Sequence, residues 1–186
     1  SLLSAPELPA TTMAQGCYFR MFAECTGLTS APELPANALA YNCYGWMFKG
    51  CSALTYVPDL PATKMEAYCY NSMFTNCTSL KFAPELPAER LESNCYQRMF
   101  EGCTSLTSAP ELPATELVSN CYEFMYKDCR NLRYVIGLFT TEPSEKTTED
   151  WLSGVAASGT FIKSKKATWD VTGVHGIPEG WKIETW

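Results

Sequence analysis

The sequence is poor in histidine and in basic residues. It has one histidine, His175, and 14 lysine and arginine residues against 20 aspartate and glutamate residues, which gives a formal net charge of -6. Nucleic acids and anionic membrane surfaces are bound through basic patches, and this sequence contains no basic stripe. We therefore expect neither of them as a partner.

Enzymatic motifs are missing as well. His175 is far along the chain from any serine or cysteine in a nucleophile motif, and no glycine-rich phosphate loop is present. We therefore expect no catalysis and no cofactor, and we interpret His175 as a turn residue.

Long apolar runs are also lacking. No run approaches the roughly 20 apolar residues that a bilayer span requires, so we expect no membrane insertion of this segment. No basic-then-apolar leader opens the chain, and its first residue lies one position before a repeat. We interpret the chain as a piece of a larger protein.

What the sequence does contain is a strict repeat. Its ten cysteines form five pairs with partners eight residues apart, and each pair follows the previous pair after 26 residues. The pairs are Cys17 and Cys25, Cys43 and Cys51, Cys69 and Cys77, Cys95 and Cys103, and Cys121 and Cys129. Five full units begin at Leu2, Leu28, Leu54, Leu80 and Leu106, and a sixth begins at Leu132. A fixed period of this length indicates a solenoid of stacked repeats.

Each unit predicts a short strand followed by a helix. In the second unit the extended segment 28–34 is limited by prolines, and Asn37 stands in an N-cap position. An apolar stripe with a spacing of four residues follows, formed by Leu39, Cys43, Met47 and Cys51. Gly50 and Gly102 can supply the left-handed residue that ends a helix. We therefore predict an α/β solenoid, a right-handed superhelix of 26-residue strand–helix units.

One segment of the unit resembles the repeat of a known family. Residues 99–107, with the sequence MFEGCTSLT, are similar to the A-F-x-G-C-x-S-L-T core of the leucine-rich repeats of BspA-like bacterial surface proteins. The resemblance covers residues 2 to about 138, and it departs from the family pattern in unit length, in the methionine column and in the extra cysteine column. It implies a leucine-rich-repeat fold, an extracellular or cell-surface location, and attachment to host matrix proteins or other cells.

The end of the chain departs from the repeat. We expect a repeat array over residues 1–138 and a small β-rich C-terminal cap over residues 139–186, with a short helix around 150–155 and edge strands at 159–164 and 181–186. A cap would cover the apolar face of the last unit. The alternative is an aromatic ligand platform or an anchoring signal that uses Trp169, Trp181 and Trp186.

The cysteine spacing argues against metal and disulfide chemistry. It does not match the close ligand pairs of structural zinc sites. On helices, the two cysteines of one unit would lie ~12 Å apart and equivalent cysteines of neighbouring units ~8–10 Å apart, too far for a disulfide. We interpret them as ladders of buried free thiols. Bridges between the early cysteine of one unit and the late cysteine of the next are the alternative in an exported protein.

One acidic residue per unit lies in the predicted strand. Carboxylates stacked at strand spacing would repel one another and need a partner. Backbone N–H groups at the start of the following helix are one such partner, and bridging calcium is the alternative. The residues are Glu7, Glu33, Asp59, Glu85 and Glu111.

The two positions after each strand leucine differ between units. Aromatic and cationic residues that occur there in only some copies are not needed for stacking, and Tyr and Arg are frequent at binding hot spots. The predicted binding surface consists of Tyr56, Phe82, Arg133 and Tyr134, with ordinary filling of a sheet surface as the alternative. We therefore expect a non-catalytic module that binds a protein or glycan ligand on host or neighbouring cells. The alternatives are a structural spacer of a larger surface protein and a glycan-binding accessory module.

Overall fold

Regular secondary structure accounts for a small part of the chain. The computed structural model describes residues 2–186. Its elements are β1 (Glu111–Leu112), β2 (Tyr134–Gly137), α1 (Glu145–Thr148), β3 (Thr160–Lys163) and β4 (Lys182–Thr185). The four strands form one parallel sheet in the order β1-β2-β3-β4.

The expected α/β solenoid of strand–helix units is wrong. Within residues 2–186 the only helix is the four-residue α1, which lies after the five full units. The second half of each unit consists of consecutive β-turns, which in the second unit span residues 41–50. We call this part the turn segment, and a whole 26-residue unit a coil.

Backbone hydrogen bonds alternate between two directions along each turn segment. The N–H of Met47 donates to the carbonyl of Tyr44 within the coil (3.2 Å), whereas the N–H of Phe48 donates to the carbonyl of Met73 in the next coil (2.9 Å). An α-helix would direct these N–H groups to carbonyls four residues earlier in the same coil. The alternation therefore forms turns and at the same time joins each coil to the next.

A positive φ at every fourth residue shapes these turns. In the second coil Asn42, Trp46 and Gly50 have φ values of 52°, 59° and 75°. A positive φ at the third position of a β-turn is the mark of a type II turn. The left-handed conformation expected at Gly50 and Gly102 is confirmed, although it ends no helix.

The strand part of most coils is shorter than expected. Single parallel bridges join Ser30 to Tyr56 and Phe82 to Ser108, and longer pairing is confined to β1–β4. In the first five coils a proline without an N–H group occupies the fifth position. In the sixth coil Ile136 stands there, and β2 extends over four residues.

Side chains pack in columns, which are sets of equivalent positions in successive coils. The Tyr44 and Tyr70 ring centroids lie 5.7 Å apart at an interplanar angle of 8°, and the rings of Phe48 and Phe74 lie 5.7 Å apart at 5°. The predicted stripe is buried although it lies on turns, because the side chains of every fourth residue point into the stack. Its members Cys43, Met47 and Cys51 are 0% exposed, and Leu39 is 7% exposed.

The residues after 138 continue the stack. The turn segment of the fifth coil donates N–H groups to residues 146–153, for example from Tyr126 to Trp151 (2.8 Å). Strands β3 and β4 lie within the predicted segments 159–164 and 181–186, but β3 is flanked by β2 and β4 and is not an edge strand. The helix expected around 150–155 is wrong in position, because α1 ends at Thr148.

Tryptophans anchor this last part of the chain. The indole N–H of Trp169 donates to Phe139 O (3.2 Å), and that of Trp181 donates to Ala156 O (2.8 Å). These two indoles are 4% and 6% exposed, so they hold the tail on the stack and offer no open ring face. Trp186 is 61% exposed.

Substitution of Gly102 tests the packing between turn segments. Its φ is 73°, and an added Cβ would overlap the amide oxygen of Asn76 in the preceding coil. We expect Gly102→Ala to lower the free energy of unfolding by about 2–3 kcal/mol, because left-handed strain and overlap add together. Urea unfolding measures this loss.

Gly16→Ala is the matched control. Gly16 has a φ of 60°, and no heavy atom of residues 2–186 lies within 4 Å of an added Cβ. The strain alone should cost about 1 kcal/mol. Equal losses in the two variants would contradict a role for contact between coils.

Candidate functional site

The four predicted site residues lie on the outer surface of the strand parts. Tyr56, Phe82 and Tyr134 are 59%, 69% and 38% exposed, and Arg133 is also exposed. Large apolar side chains elsewhere in the same coils are mostly buried. We call the three aromatic residues, flanked by Arg133, the aromatic row.

The stacking of coils sets the spacing of the aromatic row. Its three aromatic residues occupy one column, in which Tyr56 pairs with Ser30, Phe82 with Ser108, and Tyr134 with Thr160. Tyr56 and Phe82 belong to consecutive coils, and Tyr134 follows two coils later. At ~4.8 Å per strand the row extends over ~14 Å.

Backbone hydrogen bonds hold the row in place. The carbonyl of Tyr56 accepts the N–H of Ala31 (3.0 Å), and the carbonyl of Tyr134 accepts the N–H of Ala109 (3.0 Å). The carbonyl of Arg133 accepts the N–H of Thr160 (2.8 Å). The main chain is thus fixed on the stack while the side chains project into solvent.

The predicted site omits one exposed cation beside the row. Lys81 precedes Phe82 and stands in the same column as Arg133, two coils earlier. It is exposed, as Arg133 is. Its membership in that variable column was the signal that could have identified it.

The acidic column does not group into a metal site. Glu7, Glu33, Asp59 and Glu85 are exposed, and the carboxylate of Asp59 accepts the N–H of Glu85 in the next coil (3.3 Å). The expected N–H partners at a helix start are absent, because within the described part of the chain no helix follows the strand part of the five full units. Among residues 2–186 no three or more histidine, cysteine, aspartate or glutamate side chains are arranged to hold a metal ion.

The cysteines are free thiols, as the favoured interpretation predicted. Eight of the ten are buried, while Cys17 is exposed and Cys25 is half-buried. The later cysteine of a coil donates its S–H to a phenylalanine carbonyl of the preceding coil, at 3.1 Å from Cys51 to Phe22 and 3.2 Å from Cys77 to Phe48. This hydrogen bond explains why a thiol, and not only a small apolar group, suits the column.

Burial controls the ionisation of these thiols. It raises the pKa of Cys43 to about 11 and that of Cys51 and Cys69 to about 12. The pKa values of Cys77 and Cys103 are also raised well above normal by burial. Because the thiolate is the reactive form, these cysteines are poor nucleophiles at neutral pH.

The turn segments carry a hydrogen-bonded row that the sequence pattern did not reveal. The indole N–H of Trp46 donates to Asn71 Oδ1 (2.7 Å), the Asn71 amide donates to Gln97 Oε1 (2.6 Å), and the Gln97 amide donates to Glu123 Oε2 (2.6 Å). These residues belong to four successive coils. The assumption of a helix concealed the row, because residues 25 or 26 positions apart meet here only through the turns.

Thiol labelling tests the burial of the cysteines. We expect Cys17 and Cys25 to react with iodoacetamide at pH 8 in the native protein, and the eight buried thiols to react only after denaturation, as mass spectrometry of the labelled peptides would show. Fewer than ten labelled cysteines in a denatured sample without reductant would contradict the free-thiol assignment.

Alkaline pH should destabilise the fold. The buried thiols have raised pKa values in the folded chain, whereas in the unfolded chain they ionise near the usual 9.0. The contribution of these thiols to the free energy of unfolding is therefore fully present below pH 9. It is lost as pH rises above 9, because the thiols of the unfolded state lose their protons first. We expect Tm to fall between pH 9 and about 12, the interval between the unfolded and folded pKa values of these thiols. A constant Tm over this interval would contradict the buried thiol columns.

Comparison with known proteins does not assign the chain to a family. No helix among residues 2–186 has both the length and the apolar character that a membrane span needs. No family model, curated protein or solved structure matches the chain. The resemblance to BspA-like repeats therefore stays a prediction.

Proposed function

We propose that this chain is a non-catalytic binding module of an exported protein, and that it attaches to a protein ligand on host or neighbouring cells. The observation that carries the proposal is the aromatic row. It places three large, exposed aromatic side chains in a column where other coils have serine. The location and the type of partner rest on the resemblance to BspA-like surface proteins.

The row has the physical properties of a binding surface. A tyrosine or phenylalanine that becomes buried removes 150–250 Å² from water, at roughly 25 cal/mol per Å². Since the underlying main chain is already fixed by hydrogen bonds between coils, less conformational entropy is lost on binding. Arg133 and Lys81 add cations beside the rings, which suits a partner with acidic residues.

The alternatives receive less support. A spacer without a ligand gains nothing from Tyr56 and Phe82, which are more than half exposed and lie outside the buried columns. A glycan-binding module that uses the tail tryptophans requires open ring faces. Trp169 and Trp181 are buried, which leaves only Trp186 for such a role.

A triple variant tests the proposal. The variant Tyr56→Ala/Phe82→Ala/Tyr134→Ala should fold with nearly unchanged stability, because substitutions of exposed residues are usually within about ±0.5 kcal/mol each. Surface plasmon resonance against purified extracellular matrix proteins and oligosaccharides would measure binding. We expect the wild-type chain to bind at least one matrix protein and the variant to bind it at least tenfold more weakly.

The control variant is Tyr41→Ala/Val174→Ala. It removes two apolar side chains that are 45% and 58% exposed but lie outside the row. It should bind like the wild type. Absence of binding across the whole panel would favour the spacer, and equal losses in the two variants would contradict a site at the aromatic row.

A further inference from the structure

Two places on the turn segments share one arrangement of charged and aromatic side chains. In the later place, Arg98 lies 4.0 Å and Lys127 lies 4.7 Å from the ring centroid of Phe124. In the earlier place, Arg20 lies 5.2 Å and Lys49 lies 4.2 Å from the ring centroid of Trp46. Each residue of the later place follows its counterpart in the earlier place by 78 residues, which is three coils.

The later place is completed by a carboxylate from the next coil. Asp150 Oδ2 lies 2.7 Å from the ammonium nitrogen of Lys127. This hydrogen bond raises the pKa of Lys127. The charged Lys127 is thus paired with an acidic side chain of the same protein.

The earlier place has a serine where the later place has this aspartate. Ser72 follows Trp46 by 26 residues, as Asp150 follows Phe124. The main chain is equivalent, with φ values of 53° at Ser72 and 50° at Asp150. The N–H of Trp46 donates to the carbonyl of Asn71, which precedes Ser72, at 2.8 Å. The N–H of Phe124 donates to the carbonyl of Glu149, which precedes Asp150, also at 2.8 Å.

A cavity lies at the surface around Ser72. It measures about 370 Å³ and is lined by the side chains around Ser72, namely Trp46, Lys49, Thr75, Asn76, Arg98 and Glu101. Arg98 is already paired with Glu101 at 3.1 Å. Among the residues that the structure describes, no carboxylate lies within salt-bridge distance of Lys49.

We propose that the cavity over Ser72 binds an acidic side chain of a peptide partner, whose carboxylate takes the position that Asp150 takes in the equivalent place and pairs with Lys49. The equivalent place defines the chemistry, because there the aspartate side chain of Asp150 pairs with the lysine that corresponds to Lys49. The ring of Trp46 already has two cations over it, so it is not an open platform for a sugar ring. The net charge of -6 opposes an acidic ligand, but charges beyond ~8 Å are screened at physiological salt.

This site lies on the turn segments, apart from the aromatic row, and the two proposals can fail separately. The test is a titration of the ¹⁵N-labelled full chain with the terminally blocked peptide Gly-Asp-Gly at pH 7 and physiological salt. We expect saturable amide shifts at Lys49 and Ser72 and a shift of the Trp46 indole N–H, with a Kd in the millimolar range. The blocked peptide Gly-Asn-Gly should cause no saturable shifts.

Three variants separate this site from general charge effects. Lys49→Met removes the cation and keeps the aliphatic stem. Ser72→Asp supplies a carboxylate that pairs with Lys49, as Asp150 pairs with Lys127. Each variant should weaken binding at least tenfold. Aspartate tolerates the left-handed conformation at this position, as Asp150 shows. Lys127→Met removes a cation that is already paired, and it should leave binding unchanged.

Four results would overturn the proposal. The first is an equal response to Gly-Asp-Gly and Gly-Asn-Gly, and the second is binding that survives both Lys49→Met and Ser72→Asp. The third is an equal loss in Lys127→Met, which would indicate a general charge effect. The fourth is tighter binding of glucuronate than of Gly-Asp-Gly, which would assign the cavity to an acidic sugar.

Discussion

The hydrogen bonds that run from one turn segment to the next are the interaction on which the whole stack depends. Each of the five turn segments donates five N–H groups to the following coil. These bonds set one spacing for the entire molecule, and the aromatic columns have ring centroids 5.5–6.0 Å apart within that spacing. The thiol of Cys51 reaches the carbonyl of Phe22 for the same reason. A change in the path of one coil therefore reaches the next through both backbone and side chains.

Much of this architecture follows from the sequence, but the helix does not. The repeat length, the buried columns, the free thiols and the left-handed residues at Gly50 and Gly102 were all predicted. The error came from the period of the apolar stripe, because a helix advances 100° per residue and a spacing of four is only about 40° from a full turn. A pair of β-turns has a period of four residues and gives the same short pattern. Only the partners of alternate N–H groups distinguish the two structures, and those partners lie in another coil.

The two candidate sites differed in how far the sequence alone could indicate them. Tyr56 and Phe82 could be predicted because their column is filled with serine in other copies, so that aromatic residues there stand out without any knowledge of the fold. The cavity at Ser72 could not be predicted in this way, since a single serine carries no sequence signal of a binding site. The proposal for this cavity depends on the equivalence of Ser72 and Asp150. Asp150 lies after the regular repeat ends, and only the hydrogen bonds of the turn segments show that it corresponds to Ser72.

Backbone groups form the turns and join the coils, and this explains why both proposed sites lie at positions where the side chain varies between coils. Because turn formation and stacking rely on N–H and carbonyl groups, a side chain outside the buried columns can change without breaking a bond between coils. The second residue with positive φ in each turn segment shows this freedom, since Arg20, Trp46, Ser72, Arg98 and Phe124 occupy it in turn. Holding such residues left-handed costs about 1–2 kcal/mol each, and glycine would avoid that cost. Trp46 and Arg98 carry this cost in the left-handed conformation, and both of their side chains line the cavity at Ser72.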